Sequence, residues 1–212
     1  IIAIFNRKDE LFELLNSLSH QTDRDFEVII VDDGSKIALL PTVDLFKDQL
    51  DIKFFRKDNS GPGLSRNYGA KRAKNDWLVF VDSDVIVETD YIENIKNNLA
   101  ENPCDAFGGA DKAHKGFNLM QKAISYSMTS VFTTGGIRGK KSAVTKFQPR
   151  SFNMGVNKEI FLKVGGFSEM RIGEDPDLSM TLWENGYTTL FYDNIGVYHK
   201  RRTDFGRFSK QV

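Results

Sequence analysis

The sequence is poor in the features that would announce a function directly. It has a single cysteine, Cys104, in 212 residues, which excludes an internal disulfide and a cysteine-built metal site. It has no excess of charge, since 29 Lys and Arg balance 29 Asp and Glu. General nucleic-acid binding needs surplus basic charge, so no nucleic-acid partner is expected. The longest apolar runs, such as Val28–Val31, are far short of the roughly 20 residues that span a bilayer. There is no Asn-x-Ser/Thr acceptor, so nothing points to secretion. A lone cysteine fits a reducing compartment, and a cytoplasmic protein is the expectation. One absence is local. Between Lys112 and Lys158 there is no Asp or Glu, against nine Lys or Arg (112, 115, 122, 138, 140, 141, 146, 150 and 158).

What is present reads as one globular domain: 40% hydrophobic and 27% charged residues over a length sufficient for a full core. The chain starts without Met inside an apolar run and ends, from Phe205 to Val212, in what reads as an opening helix. A piece of a longer protein is expected.

Short apolar runs alternate with helical patterns in the first half. Ile1–Phe5, Phe26–Val31, Ile52–Phe55 and Trp77–Val81 read as strands. Asp9–Leu18, Leu64–Lys74 and Asp90 to about Ala100 read as helices, the last with Thr89 as cap. That order predicts parallel βαβ units. The second half predicts a strand at Ser151–Val156, helices at Lys158–Val164 and Asp177–Glu184, and short strands at Thr189–Tyr192 and Gly196–Tyr198. Thr133–Lys141 is Gly-rich and basic and reads as a loop that orders over a ligand.

In such sheets ligands gather beyond the C-terminal ends of the strands. Two acidic turns follow strands directly. Asp82-Ser83-Asp84 offers two carboxylates for a hard cation such as Mg²⁺ or Mn²⁺, or is a solvated turn. Asp32-Asp33-Gly34-Ser35 offers acceptors to a base or ribose, or is an Asx turn. Gly61-Pro62-Gly63-Leu64-Ser65-Arg66-Asn67 sets backbone amides and Arg66 at a helix start, which suits a phosphate. Gly173-Glu174-Asp175-Pro176-Asp177 puts acids where a helix dipole favours them, and also where a general base can be held. His199, followed by Lys200-Arg201-Arg202, can be a metal ligand near a diphosphate grip. His20 and His114 have no such setting, and Cys104 is expected only to pack.

Each signal alone is weak, but their order resembles the family 2 glycosyltransferases of GT-A fold across nearly the whole chain. The resemblance rests on Asn6-Arg7 after the first strand, Val31–Ser35, Gly63–Gly69 with Arg66-Asn67, Phe80–Asp84, Asn153–Gly155 with Val164–Phe167, and Gly173–Asp175 with Asp177-Leu178. It implies an α/β fold, Rossmann-like and nucleotide-binding, with a mostly parallel central sheet flanked by helices. It implies one catalytic domain, with residues 1–110 holding a nucleotide sugar and 111–212 the acceptor. It implies inverting transfer from a nucleotide-diphosphate sugar, with UDP-sugar the expected donor and Mg²⁺ or Mn²⁺ as cofactor. Asp33 would meet the base, with Phe5 and Asn6 beside it. Asp82 would meet the ribose, the sugar or the metal, and Asp84 the metal, with His199 an accessory ligand. Arg66 would face the diphosphate. Asp175 would be the catalytic base, and Glu174 would shape the acceptor side.

The opening strand departs from the family pattern. Ala3-Ile4-Phe5 stands where Pro-Thr-Tyr is usual, so an aromatic face is kept and two hydroxyls are lost. A non-catalytic nucleotide-sugar binder and a sugar-phosphate nucleotidyltransferase are the rival readings. The latter wants a Gly-rich loop after the first strand, where this chain has Asn6-Arg7-Lys8-Asp9. The acid-free basic stretch suits an anionic acceptor, such as a lipid-linked phosphate, or anionic headgroups, or is a solvated face. The tail Lys200–Lys210, with Phe205 and Phe208, reads as the start of an interfacial helix at the inner face of a membrane.

Overall fold

The computed structural model describes residues 1–112 and 146–199. The elements run β1 (Ile2–Ile4), α1 (Lys8–Leu18), β2 (Glu27–Asp32), α2 (Leu40–Asp44), β3 (Asp51–Arg56), α3 (Pro62–Ala70), β4 (Trp77–Val81), β5 (Val85–Val87), α4 (Tyr91–Glu101) and β6 (Ala106–Lys112). After the undescribed stretch come β7 (Asn153–Asn157), α5 (Lys158–Lys163), α6 (Glu174–Glu184) and β8 (Thr189–His199). The predicted loop at Thr133–Lys141 and the basic tail lie outside the described residues.

Strands β1, β2 and β3 form a parallel sheet in that order. A second sheet has the order β4-β7-β6-β8-β5. Its β6–β8 pair is parallel, while β4–β7, β6–β7 and β5–β8 are antiparallel. The expected mostly parallel sheet therefore holds for the first half of the chain and is corrected for the second, which is mixed. The backbone at Ile1 lies beside β4, with Ile1 N to Val79 O at 2.6 Å and Val81 N to Ile1 O at 3.3 Å. That contact brings the two sheets edge to edge.

Apolar side chains of β2 are buried on both faces. Val28 and Ile30 pack into one cluster with Leu11, Leu14, Leu15 and Tyr91. Ile29 and Val31 pack into the other with Ala70, Phe80, Phe161, Phe167 and Leu178. This is the continuous apolar pattern of a strand covered by helices on each side. The spacing of Leu11, Leu14, Leu15 and Leu18 gives α1 one buried face, as its sequence predicts.

Several boundaries differ from the sequence reading. Asp90, not Thr89, takes the N-cap position of α4, and its side chain makes no capping bond. Thr89 instead accepts from Thr22 N at 2.8 Å through its carbonyl. The two expected strands at 189–192 and 196–198 are one strand, β8, in which residues 193–196 stand opposite Ala110 alone. Strands β5 and β6 and the short α2 were not foreseen. β6 reads Ala-Phe-Gly-Gly-Ala-Asp-Lys, whose central glycines carry no strand propensity.

The Asn153–Gly155 motif has a packing explanation. Asn153 accepts from Tyr91 Oη at 2.6 Å and donates to Ile195 O at 2.7 Å, tying α4 to the irregular part of β8. Gly155 lies against the ring of Phe107, where an added Cβ would fall 2.0 Å from Cζ. Gly155→Ala is expected to cost about 1–3 kcal/mol of stability through overpacking. Urea unfolding of the two proteins measures this directly.

Candidate active site

The site lies at the edge where β1, β2 and β4 end. Asn6 follows β1 with φ at +55°, in the left-handed region that Asn tolerates. Its N–H donates to Ser35 Oγ at 2.9 Å, and its Oδ1 accepts from Lys36 N at 2.7 Å. Asn6 therefore pins the end of β1 to the turn after β2. Phe5 beside it is 45% exposed, an apolar face left open at this edge.

The two acids of that turn have separate work. Asp32 accepts from Ser35 N at 2.8 Å and closes the turn, with Gly34 at φ +79°. Asp33 instead accepts from Ser60 N and Gly61 N, both at 2.9 Å, and from Lys57 Nζ. Burial alone would raise the Asp33 carboxyl, but Lys57 and these amides hold it below the ordinary range. An acid so depressed contributes stability above its unfolded pKa and loses it as pH falls through the folded value. In acid titrations of wild type and Asp33→Asn, the stability gap is expected to be full above about pH 4 and to close below it.

Arg66 occupies the centre. It is carried by α3, and its guanidinium donates to Asp82 Oδ1 at 2.8 Å and to Glu174 Oε1 at 2.9 Å. The side chain is 5% exposed and lies 5.4 Å from the centre of the Phe167 ring. Gly63 permits this approach, because a Cβ there would meet Ser168 O at 3.1 Å and Glu174 Cγ at 3.3 Å. The charge of Arg66 is thus already paired with two carboxylates, and the geometry makes it a brace between them.

Asp82, Asp84 and His199 converge, each offering a ligand atom within 4.8 Å of the others. Asp84 accepts from Arg7 Nη1, and its Oδ1 lies 3.1 Å from His199 Nε2. Burial would push the Asp84 carboxyl up, but His199 and Arg7 hold it far below the carboxylate range. His199 is lowered by burial and raised by Asp111 and Asp84, with a net rise to about 10. Its Nδ1 is 3.8 Å from Asp111 Oδ2, an ion-pair distance and not a hydrogen bond. Two carboxylate oxygens and an imidazole nitrogen are a donor set that suits Mg²⁺ or Mn²⁺. His199 and Arg7 supply the balancing positive charge here.

Glu174 and Asp175 open α6 after Gly173, whose φ is +89°. Asp175 is buried, and its Oδ2 faces Arg150 Nε at 3.0 Å and Ser151 N at 3.2 Å. Of the nine cations of the acid-free stretch, four are described. Lys112 pairs with Glu88 at 3.0 Å, Arg150 pairs with Asp175, and Lys158 donates to Ala73 O at 2.6 Å. Lys146 sits 5.7 Å from the Trp183 ring. The described members are used within the fold.

A family model described as "Glycosyl transferase family 2" matches residues 1–164. The chain belongs to that family. It is 31% identical to an uncharacterized glycosyltransferase of Haemophilus influenzae, over 96% of this chain and 69% of the relative. It is 31% identical to the poly(ribitol-phosphate) beta-N-acetylglucosaminyltransferase TarS of Staphylococcus aureus, over 50% of this chain and 19% of TarS. The crystal structure of S. aureus TarS 1–349 in complex with UDP matches with a TM-score of 0.73 and 25% identity, covering 94% of this chain and 59% of that one. The mannosyltransferase PcManGT from Pyrobaculum calidifontis, in complex with GDP-Man and Mn²⁺, also has a TM-score of 0.73. At 16% identity, over 96% of this chain and 56% of that one, its likeness is one of fold. These neighbours are GT-A glycosyltransferases, so the expected α/β, GT-A class stands. Among the described residues of this family 2 domain, no helix is long and apolar enough to cross a membrane.

Lys57 and Asp111 were not singled out from sequence, and Arg7 and Arg150, read there as part of a motif and of a basic stretch, gain their partners Asp84 and Asp175 only from three-dimensional proximity. The brace is the most testable element. Arg66→Met leaves Glu174 buried without its cation and is expected to cost about 3 kcal/mol. Adding Glu174→Gln should recover part of that loss in urea unfolding, because the stranded charge is removed.

Proposed function

We propose that this chain moves a sugar from a nucleotide-diphosphate sugar, a UDP-sugar by preference, to an acceptor hydroxyl with inversion at the anomeric carbon. The observation that carries the reading is the convergence of Asp82, Asp84 and His199, joined through Arg66 to the acids that open α6. Support for the donor comes from the family and from the UDP complex of TarS.

The residues divide the work by position. Asp33, with Phe5 and Asn6 nearby, stands where a base would lie. Asp82, Asp84 and His199 would hold Mg²⁺ or Mn²⁺, which when bound supplies Lewis-acid stabilisation of the departing diphosphate. Asp175 takes the proton of the acceptor hydroxyl as its oxygen attacks the anomeric carbon. The bond from that carbon to the diphosphate oxygen breaks in the same step, and the electron pair leaves with the diphosphate. Arg150 and the Ser151 amide fix Oδ2 of Asp175, which orients the carboxylate. Glu174, held by Arg66, borders the acceptor side.

Calorimetric titration with UDP in Mn²⁺ and then EDTA tests the donor half. Binding that needs Mn²⁺ and disappears in Asp84→Ala is the expected result; metal-independent binding, or GDP in place of UDP, overturns it. Asp175→Asn tests the chemical half. It should retain UDP binding and lose roughly 10²–10⁴-fold in the rate of sugar transfer. Equal rates would remove Asp175 from the reaction.

A further inference from the structure

We propose that Arg7 holds the place of the cation while the metal site is empty, and becomes a ligand of the diphosphate once the cation is bound. The inference rests on the metal-assisted reading above. Among the described residues two arginines, Arg7 and Arg66, pair with the carboxylates of Asp82 and Asp84, and they differ in exposure. Arg66 is 5% exposed and fixed by two carboxylates, whereas the Arg7 side chain is 36% exposed and, among the described residues, is ion-paired with Asp84 alone. The Arg7 backbone is the N-cap residue of α1, directly after the Asn6 brace, and its carbonyl accepts from Leu11 N at 3.1 Å. The main chain is therefore anchored, while the half-exposed side chain is held at its tip by Asp84.

Arg7 donates to Oδ2 of Asp84, while His199 faces Oδ1. A divalent cation seated among Asp82, Asp84 and His199 would compete with the guanidinium for the same carboxylate. Two positive groups on one carboxylate repel at close range, so the one on the flexible stem yields. A diphosphate held by that cation would then lie within the length of the Arg7 side chain. A guanidinium binds phosphate oxygens in the same forked manner as it binds a carboxylate. The other acids that act on Arg7 are Glu10 and Asp82. Glu10, on the first turn of α1, is the alternative resting place.

The proposal makes Arg7 oppose the metal and favour the nucleotide, so one substitution should move two affinities in opposite directions. Mn²⁺ binding to the metal-free protein, followed by electron paramagnetic resonance of the free ion, is expected to become roughly 3- to 10-fold tighter in Arg7→Gln. UDP binding at saturating Mn²⁺ is expected to become roughly 10-fold weaker in the same variant. Arg7→Lys keeps the charge and should stay near wild type for Mn²⁺, while circular dichroism confirms the fold of each variant. Mn²⁺ affinity unchanged or weaker in Arg7→Gln overturns the place-holding role. Tighter Mn²⁺ with unchanged UDP affinity overturns the diphosphate role and assigns Arg7 to Glu10. If wild type binds no Mn²⁺ at all, the metal reading itself fails and the proposal falls with it.

Discussion

A buried guanidinium joins the two halves of the site. Arg66 links Asp82, at the end of β4, to Glu174, which opens α6 108 residues beyond the arginine itself. A buried ion pair of this kind adds little stability over an apolar substitute, because both charges are stripped of water. Its value is geometric. The guanidinium cannot lose its charge, and its planar fork sets the separation of Asp82 and Glu174. Beneath it Phe80, Phe161 and Phe167 pack ring to ring at 5.0–5.5 Å, a stiff apolar floor for the charged layer.

Asp82, Asp84 and His199 meet for a different reason. Asp84 directly precedes β5, and Val85 pairs with His199 in the antiparallel β5–β8 ladder. The register of one short strand thus sets the contact between a carboxylate and an imidazole 115 positions apart. The first sheet supplies the edge that carries Asp33 by parallel pairing, and the second delivers the histidine by reversing direction. The mixed pairing of the second half is what brings the late part of the chain to the same edge as the early part.

Much of this was legible in the sequence. Leu11, Leu14, Leu15 and Leu18 mark α1, and the apolar runs before Asp32 and Asp82 mark strands that end at the site. The order of the motifs set Asp82 and Asp84 in a family pattern, which implied His199 as an accessory ligand. What could not be read was the division of labour. Nothing in Asp32-Asp33 says which acid closes the turn and which reaches across to the β3–α3 loop; side-chain direction decides that. That Arg66 is paired with both Asp82 and Glu174 was not in the sequence either. β5 and β6 were hidden because a three-residue strand and a Gly-Gly strand take their shape from neighbours rather than from propensity. Arg150 was visible only as a member of a basic stretch, and its pairing with Asp175 depends on how β7 enters the sheet.

The irregularity between β6 and β8 has a consequence for how this domain can vary. Residues 193–196 of β8 stand opposite Ala110, with Asp193 and Asn194 exposed and Ile195 and Gly196 buried. Side chains on a strand alternate between faces, so adding or deleting one residue between Gly196 and His199 would turn the imidazole to the far side of the sheet. A change of length at Asp193-Asn194 falls instead in the looped-out part and leaves the downstream register intact. The bulge acts as an expansion joint: a residue gained or lost at the strand's exposed elbow leaves the histidine's bearing on Asp84 unchanged.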